Sequence, residues 1–354
     1  MKHIKILISV LIMLVSQQVY ATTITMVIPD KQGWVFWELV NQVSEAVAKS
    51  LDVELKIVTG GEDRFATLAI IEKITSSKTK PDYLIFRPFN GNAITIFDKI
   101  EASGIKFVTL ESVVYGDEAL TIQRPKQKYK HWIGEVAFDN VKGGKLLLDT
   151  LIKEHHANTP ERPASIIGLG GDFASLSTSR HLVLTELEQL NDKRLNQIFP
   201  TYWDPTYITD NFALMMNRYP DANVFWCASD ELALEVLKQS QLLFKKPKVI
   251  GGFDWLPEVL ETIKTGQLTA SMGGHFLMGA IAITNIVDYE HGIDRFASHT
   301  SPYEFELITK LNVQPHLDFM KQQKWLDVDF KQFSAYRAGK TPPPLTIQNI
   351  LKTL

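Results

Sequence analysis

The chain has 354 residues, 22% charged, 45% hydrophobic and 10% aromatic, ordinary globular proportions that exclude a disordered, fibrous or coiled-coil protein and leave room for about two domains. A formal net charge of -3 without a run of like charges gives no basis for binding nucleic acid or an anionic membrane. Cys227 is the single cysteine, so an internal disulfide and a thiolate metal cluster are both excluded.

Lys2, His3 and Lys5 form a basic start, 6–15 is an apolar run broken only by Ser9, and Val19, Tyr20 and Ala21 put small residues where a signal peptidase cuts. Residues 1–21 therefore read as a signal peptide cleaved after Ala21, which predicts a periplasmic protein. Later stretches fall short of the ~18–20 apolar residues of a membrane span. Strand and helix then alternate. A β-branched strand at 24–28 precedes a helix at 35–50 with Phe36, Leu39, Val40, Val43 and Val47 at helical spacing. Strands are predicted at 53–58, 83–86, 106–110 and 133–137, with helices at 64–76, 93–102 and 140–155. After an irregular stretch at 111–132, a second series follows. Its strands are 164–169, 196–199, 223–227 and 248–251, and its helices 175–190, 206–218 and 231–239. Helices at 257–265 and 276–289 and strands at 268–272 and 304–308 could complete either unit; one more helix and a tail broken by Pro342, Pro343 and Pro344 close the chain. Two such series imply parallel sheets with right-handed crossovers in two doubly wound lobes.

Catalytic signatures are scarce. Gly168-Leu169-Gly170-Gly171 stands between strand and helix, but Phe173 occupies the third glycine position of a dinucleotide fingerprint, so the segment reads as a turn that lets backbone approach a ligand. Adjacent His155 and His156 point about 100° apart on a helix and cannot share a metal, which predicts a solvated helix end. No cofactor is expected.

Polar and aromatic residues gather at the carboxyl ends of the predicted strands, where open α/β sheets bind ligands. The first lobe supplies Gln32, Trp34, Phe36, Trp37, Arg87 and Glu111, and the second Arg180, Trp203, Ser229, Asp230 and Asp254. Aromatic faces cover apolar CH surfaces while charged groups fix hydroxyls or anionic oxygens, the chemistry of a small polar ligand. Each has a plainer reading: Trp37 as core, Asp230 as a helix cap, Arg180 as a surface charge. Because such side chains line an open cleft, removing Arg180 or Asp254 is expected to spare folding.

Asp82-Tyr83-Leu84-Ile85-Phe86, Phe138-Asp139-Asn140-Val141-Lys142-Gly143-Gly144, Ala228-Ser229-Asp230-Glu231-Leu232-Ala233-Leu234 and Val249-Ile250-Gly251-Gly252-Phe253-Asp254 resemble the successive signatures of type I periplasmic binding proteins, nearest the ribose/galactose-type sugar binders and the autoinducer-2 receptor. Phe305 to Lys310 resembles that receptor's last crossing strand. The resemblance implies an α/β fold of two Rossmann-like lobes joined by three crossings, with lobe one at 22–138 plus 275–303, lobe two at 139–274 plus 304–340, and a tail at 341–354. It also implies stacking by Phe36, Trp37 and Trp203 and polar contacts from Gln32, Arg87, Glu111, Arg180, Ser229 and Asp254. Two positions depart from the pattern: Arg87 replaces an asparagine or threonine, and Gly273-Gly274-His275 stands where the relatives carry a glutamine or arginine. The function implied is non-enzymatic: a monomer that closes on a small polar, sugar-like ligand and delivers it to an inner-membrane ABC permease. The alternative partner is a membrane sensor kinase or chemoreceptor. A secreted α/β hydrolase is the alternative from another class, and no nucleophile–base spacing can be named for it.

Overall fold

The computed structural model describes residues 22–29, 35–111, 114–172, 175–243, 249–298 and 301–354. The signal-peptide reading and two site residues, Gln32 and Trp34, lie outside them. The first sheet holds β1 (Thr23–Ile28), β2 (Glu54–Thr59), β3 (Tyr83–Phe86), β4 (Lys106–Leu110) and β5 (Trp132–Val136) in the order β2-β1-β3-β4-β5, all parallel. Period-two alternation sends Met26 and Ile85 to one face and Val27, Leu84 and Phe86 to the other. On the connecting segments lie α1 (Val35–Ser50), α2 (Arg64–Thr75), α3 (Ala93–Ser103) and α4 (Gly116–Ile122). Helix α4 falls within the stretch expected to be irregular; it has only seven residues and buries only Ile122, too little to register as a helical stripe.

The second sheet combines β6 (Ile166–Gly170), β7 (Leu195–Pro200), β8 (Val224–Cys227), β9 (Val249–Phe253), β10 (Ala270–Gly273) and β11 (Glu306–Thr309) in the order β11-β10-β9-β8-β6-β7. Only β11 runs antiparallel. Its helices are α5 (Asn140–Asn158), α6 (Ser175–Arg180), α7 (Leu182–Gln189), α8 (Thr206–Arg218), α9 (Asp230–Leu243) and α10 (Pro257–Thr265). The helix expected over 175–190 is thus broken at His181. At Gly144 of α5 an added Cβ would lie 1.7 Å from the Arg180 carbonyl, so only glycine lets the end of α6 settle on α5. His155 corrects a second expectation. It is buried rather than solvated, with Nε2 3.0 Å from the Arg162 carbonyl.

The chain passes between the sheets after β5, after β10 and before β11, and the first and third passages lie side by side: Asp139 N–H donates to the Tyr303 carbonyl at 2.8 Å and Tyr303 N–H to that of Ala137 at 2.7 Å. After β10, α11 (Met278–Glu290) packs on α1 and α12 (Arg295–Ser298) packs on β5. Helix α13 (Val313–Lys321) packs on α10, but the chain then returns to the first lobe. Phe330 N–H donates to Ser50 Oγ at 3.0 Å and Arg337 Nη2 to the Leu51 carbonyl at 2.8 Å. The buried Asp288 carboxylate of α11 accepts from Ser334 Oγ and from the amides of Ala335 and Tyr336, the latter two in α14 (Ala335–Ala338). These contacts join the returning segment to α1 and α11, where it satisfies the buried charge of Asp288. Last, α15 (Ile347–Leu351) comes back to β11, where Glu306 accepts the amides of Ile347 and Gln348.

Candidate functional site

The carboxyl ends of both sheets face a cleft, the place where open α/β sheets bind ligands. On the first lobe, α1 opens with Phe36 and Trp37, whose rings meet edge to face at 5.5 Å. Arg87 follows β3 and Glu111 follows β4; Arg87 Nε stands 3.1 Å from Glu111 Oε2, both buried, in an ion pair whose angles fall short of a hydrogen bond. The Arg87 guanidinium also covers the Phe89 ring at 4.9 Å.

Arg180 anchors the opposite wall. Its Nε donates to Asn140 Oδ1 at 2.9 Å and its Nη1 to the Ala228 carbonyl at 2.7 Å, and its guanidinium lies 4.3 Å from the Phe253 ring centre. Asp254 Oδ1 is 3.9 Å from Arg180 Nη1 and 3.2 Å from His275 Nε2. Trp203 lies flat against Gly171, where an added Cβ would meet the indole at 2.1 Å. The glycine segment therefore admits an aromatic wall of the cleft. Glu111, Trp203 and Asp254 have φ of 57°, 61° and 118°, so left-handed backbone strain collects at three strand ends on the cleft.

Phe36, Trp37, Arg87, Glu111, Arg180, Trp203, Ser229 and Asp254 all line this space. Asp230 does not. Its carboxylate turns into the second lobe, accepting from Ser271 Oγ at 2.8 Å and Leu256 N–H at 3.0 Å, and so fixes the loop that carries Asp254. Sequence reasoning left out Phe89, Asn140 and His275 as site residues. Phe89 lies two residues beyond Arg87, whereas Asn140 and His275 sit on the passages between lobes, away from the strand-end pattern.

Burial dominates the electrostatics. It pushes the Asp254 carboxyl up to about 7, although Arg180 pulls it back down. Asp230 is raised by burial and by the neighbouring charge of Asp254. The Arg180 guanidinium is lowered by burial, with Asp254 and Glu111 opposing. His275 lies well below the ordinary histidine value because it is buried and faces Arg180, which leaves the ring neutral. Arg180 is only 3% exposed and makes two hydrogen bonds, so it does not stand free in an open cleft as the sequence suggested. Among the described residues no group of His, Cys, Asp and Glu could hold a metal ion, and no helix is long and apolar enough to cross a membrane.

Two doubly wound lobes, three adjacent passages and an aromatic and charged cleft between them define a type I binding protein. The chain belongs to the family described as periplasmic binding protein domain, whose model matches residues 24–292. It is 25% identical over 287 residues to the D-allose-binding periplasmic protein of Escherichia coli (strain K12), covering 78% of this chain and 88% of that one. The ribose import binding protein RbsB of Salmonella typhimurium is 22% identical over 225 residues, 64% of this chain and 70% of that protein. Among solved structures, a periplasmic sugar-binding protein from Pseudomonas fluorescens superposes with a TM-score of 0.77 at 22% identity, over 89% of this chain and 94% of its own. The Caulobacter myo-inositol binding protein gives 0.67 at 17% identity, over 85% and 97%.

Proposed function

We propose that this protein is the solute-binding component of an ABC importer for a neutral sugar or polyol, released to the periplasm by cleavage after Ala21. The observation that carries the ligand class is the charge of the cleft wall. Five carboxylates, of Glu62, Glu111, Asp172, Glu231 and Asp254, line it against two guanidiniums, of Arg87 and Arg180. Both guanidiniums are already engaged, Arg87 by Glu111 and Arg180 by Asn140 and Ala228. An anionic ligand would meet a surplus of negative charge, whereas hydroxyls donate to carboxylates while their CH faces stack on Phe36, Trp37 and Trp203. The relatives' printed names, which include allose, ribose and myo-inositol, support the same class. In this reading lobe one is 22–138, 275–303 and 324–338, and lobe two holds 139–274 and 304–321. The ligand contacts are Phe36, Trp37, Arg87, Glu111, Arg180, Trp203, Ser229 and Asp254, and from the sequence alone Gln32 and Trp34 are counted with them. Binding stabilises the closed arrangement by its differential affinity, and the closed form is what a membrane permease meets.

A thermal-shift screen of the chain from Thr22 onward tests this. Neutral pentoses, hexoses and inositols should include at least one that raises the melting temperature in proportion to the logarithm of its concentration, and sugar acids and sugar phosphates should not. Stabilisation by the anionic compounds alone would refute the assignment.

A further inference from the structure

A second cavity, of about 640 Å³, lies among the passages, α11, α13 and the C-terminal tail, and it shares no lining residue with the cleft. Its size falls within the roughly 300–1,000 Å³ of small-molecule sites. The proline-broken tail completes it: Pro342, Pro344, Leu345 and Ile347 join Leu277 and Ile281 in an apolar wall. The charged lining is unevenly matched. Arg295 is paired with Asp288 and donates to the Phe333 carbonyl, and Glu304 is paired with Lys142. Glu306, on β11, has no lysine or arginine beside it among the described residues; its ion-pair contact is His316, whose Nε2 lies 4.0 Å from Glu306 Oε2.

The protonation of His316 follows from its other side. Nδ1 lies 3.0 Å from the Asn312 carbonyl, which can only accept, so Nδ1 carries a proton. Burial lowers the pKa of the ring below the ordinary histidine value, which leaves it neutral and makes Nε2 an acceptor. Two acceptors on the cavity wall thus stand 4.0 Å apart, and no donor among the described residues serves the nitrogen. Burial also raises Glu306, although the amides of Ile347 and Gln348 pull it down. An ammonium nitrogen ~2.8 Å from each acceptor bridges that spacing and supplies the missing positive charge. A hydroxyl brings a donor without the charge, and a carboxylate brings neither.

We propose that this cavity is a second ligand site, which takes a protonated primary amine with an apolar body: the ammonium sits between Glu306 and His316, and the body lies on the wall made by Leu277, Ile281 and the tail. The site goes beyond the sugar reading and does not depend on it.

Nitrogen-15 spectra of the histidine rings, in the chain from Thr22 onward, test it with hexylamine, hexanol and hexanoate, probes of one length and three charges. The Nε2 resonance of His316, identified by its absence from His316→Gln, should shift saturably with hexylamine at roughly 10- to 100-fold lower concentration than with hexanol. Hexanoate should not move it. Glu306→Gln keeps the shape of the side chain and should bring the amine down to the level of the alcohol. The sugar cleft also carries carboxylates, so Asp254→Asn is the control and should leave the His316 response to hexylamine in place. Retention of the amine's preference in Glu306→Gln overturns the proposal, and so does its loss in Asp254→Asn, which would put the amine in the cleft. A wild type in which the three probes act alike, or in which none moves the resonance, overturns it as well, and that ranking decides the matter should Glu306→Gln not fold.

Discussion

Replacing Asp254 by asparagine separates what this carboxylate does for the ligand from what it does to the fold. Burial raises its pKa from the ordinary 3.8 to about 7. The folded chain therefore keeps a proton that the unfolded chain releases near pH 4, and stability declines as pH rises from about 4 to about 7, then levels off. A shift of roughly three pKa units at about 1.4 kcal/mol each makes the ionised carboxylate cost up to ~4 kcal/mol above pH 7. Asparagine resembles the protonated form, filling the same place beside Arg180 and His275 without the charge. Ligand-free Asp254→Asn should match wild type near pH 4 and exceed it by ~2–4 kcal/mol at pH 8, while its affinity for the sugar falls at least 10-fold because charge-assisted hydrogen bonds are lost. Urea denaturation between pH 4 and 8, paired with titration calorimetry at pH 8, measures both. A stability gap that does not change with pH, or wild type the more stable at pH 8, refutes the reasoning.

Arg180→Ala should abolish binding and, unlike Asp254→Asn, lower stability at pH 8 by about 3–5 kcal/mol, because it leaves Asn140, the Ala228 carbonyl and a buried carboxylate without their partner; urea denaturation checks it. Gly171→Ala puts a methyl 2.1 Å from the Trp203 indole and should weaken ligand binding at least 10-fold by calorimetry at a stability cost of ~1–3 kcal/mol. Ser334→Ala deprives Asp288 of one donor and should cost ~1–3 kcal/mol in the same denaturation assay. Cys227, fully buried at the end of β8 with its thiol pKa raised by burial, should react with a thiol reagent far more slowly in the native protein than in the unfolded chain.

Much of the architecture was legible because period-two and helical patterns are local. The helix read over 35–50 coincides with α1, and the strands read at 83–86 and 106–110 with β3 and β4. The rule that ligands gather at strand carboxyl ends then picked out Arg87, Glu111, Trp203, Ser229 and Asp254, which do share the cleft. Asp230 shows where locality ends. Its position at the start of α9 is visible in sequence, but the turn of its carboxylate toward Ser271 in β10 and Leu256 in the loop after β9 is set by residues 41 and 26 positions away. The break at His181 depends likewise on how closely α6 approaches Gly144 across the lobe. His275 showed in sequence only as a departure from the relatives' pattern, and its place on the cleft wall beside Phe36, Phe138 and Phe305 is set by segments far apart in the chain.

The return of the chain after α13 sets a limit on travel. Only Gln322 and Gln323 separate the last residue of α13 from the 3-10 turn Lys324–Leu326, which lies against both α13 and α1, with Trp325 buried 5.7 Å from Phe319. Three residue steps span at most ~10 Å when fully stretched. The connection from α13 back to α1 is therefore as short as a hinge pin, and it is seated by one buried indole outside the cleft.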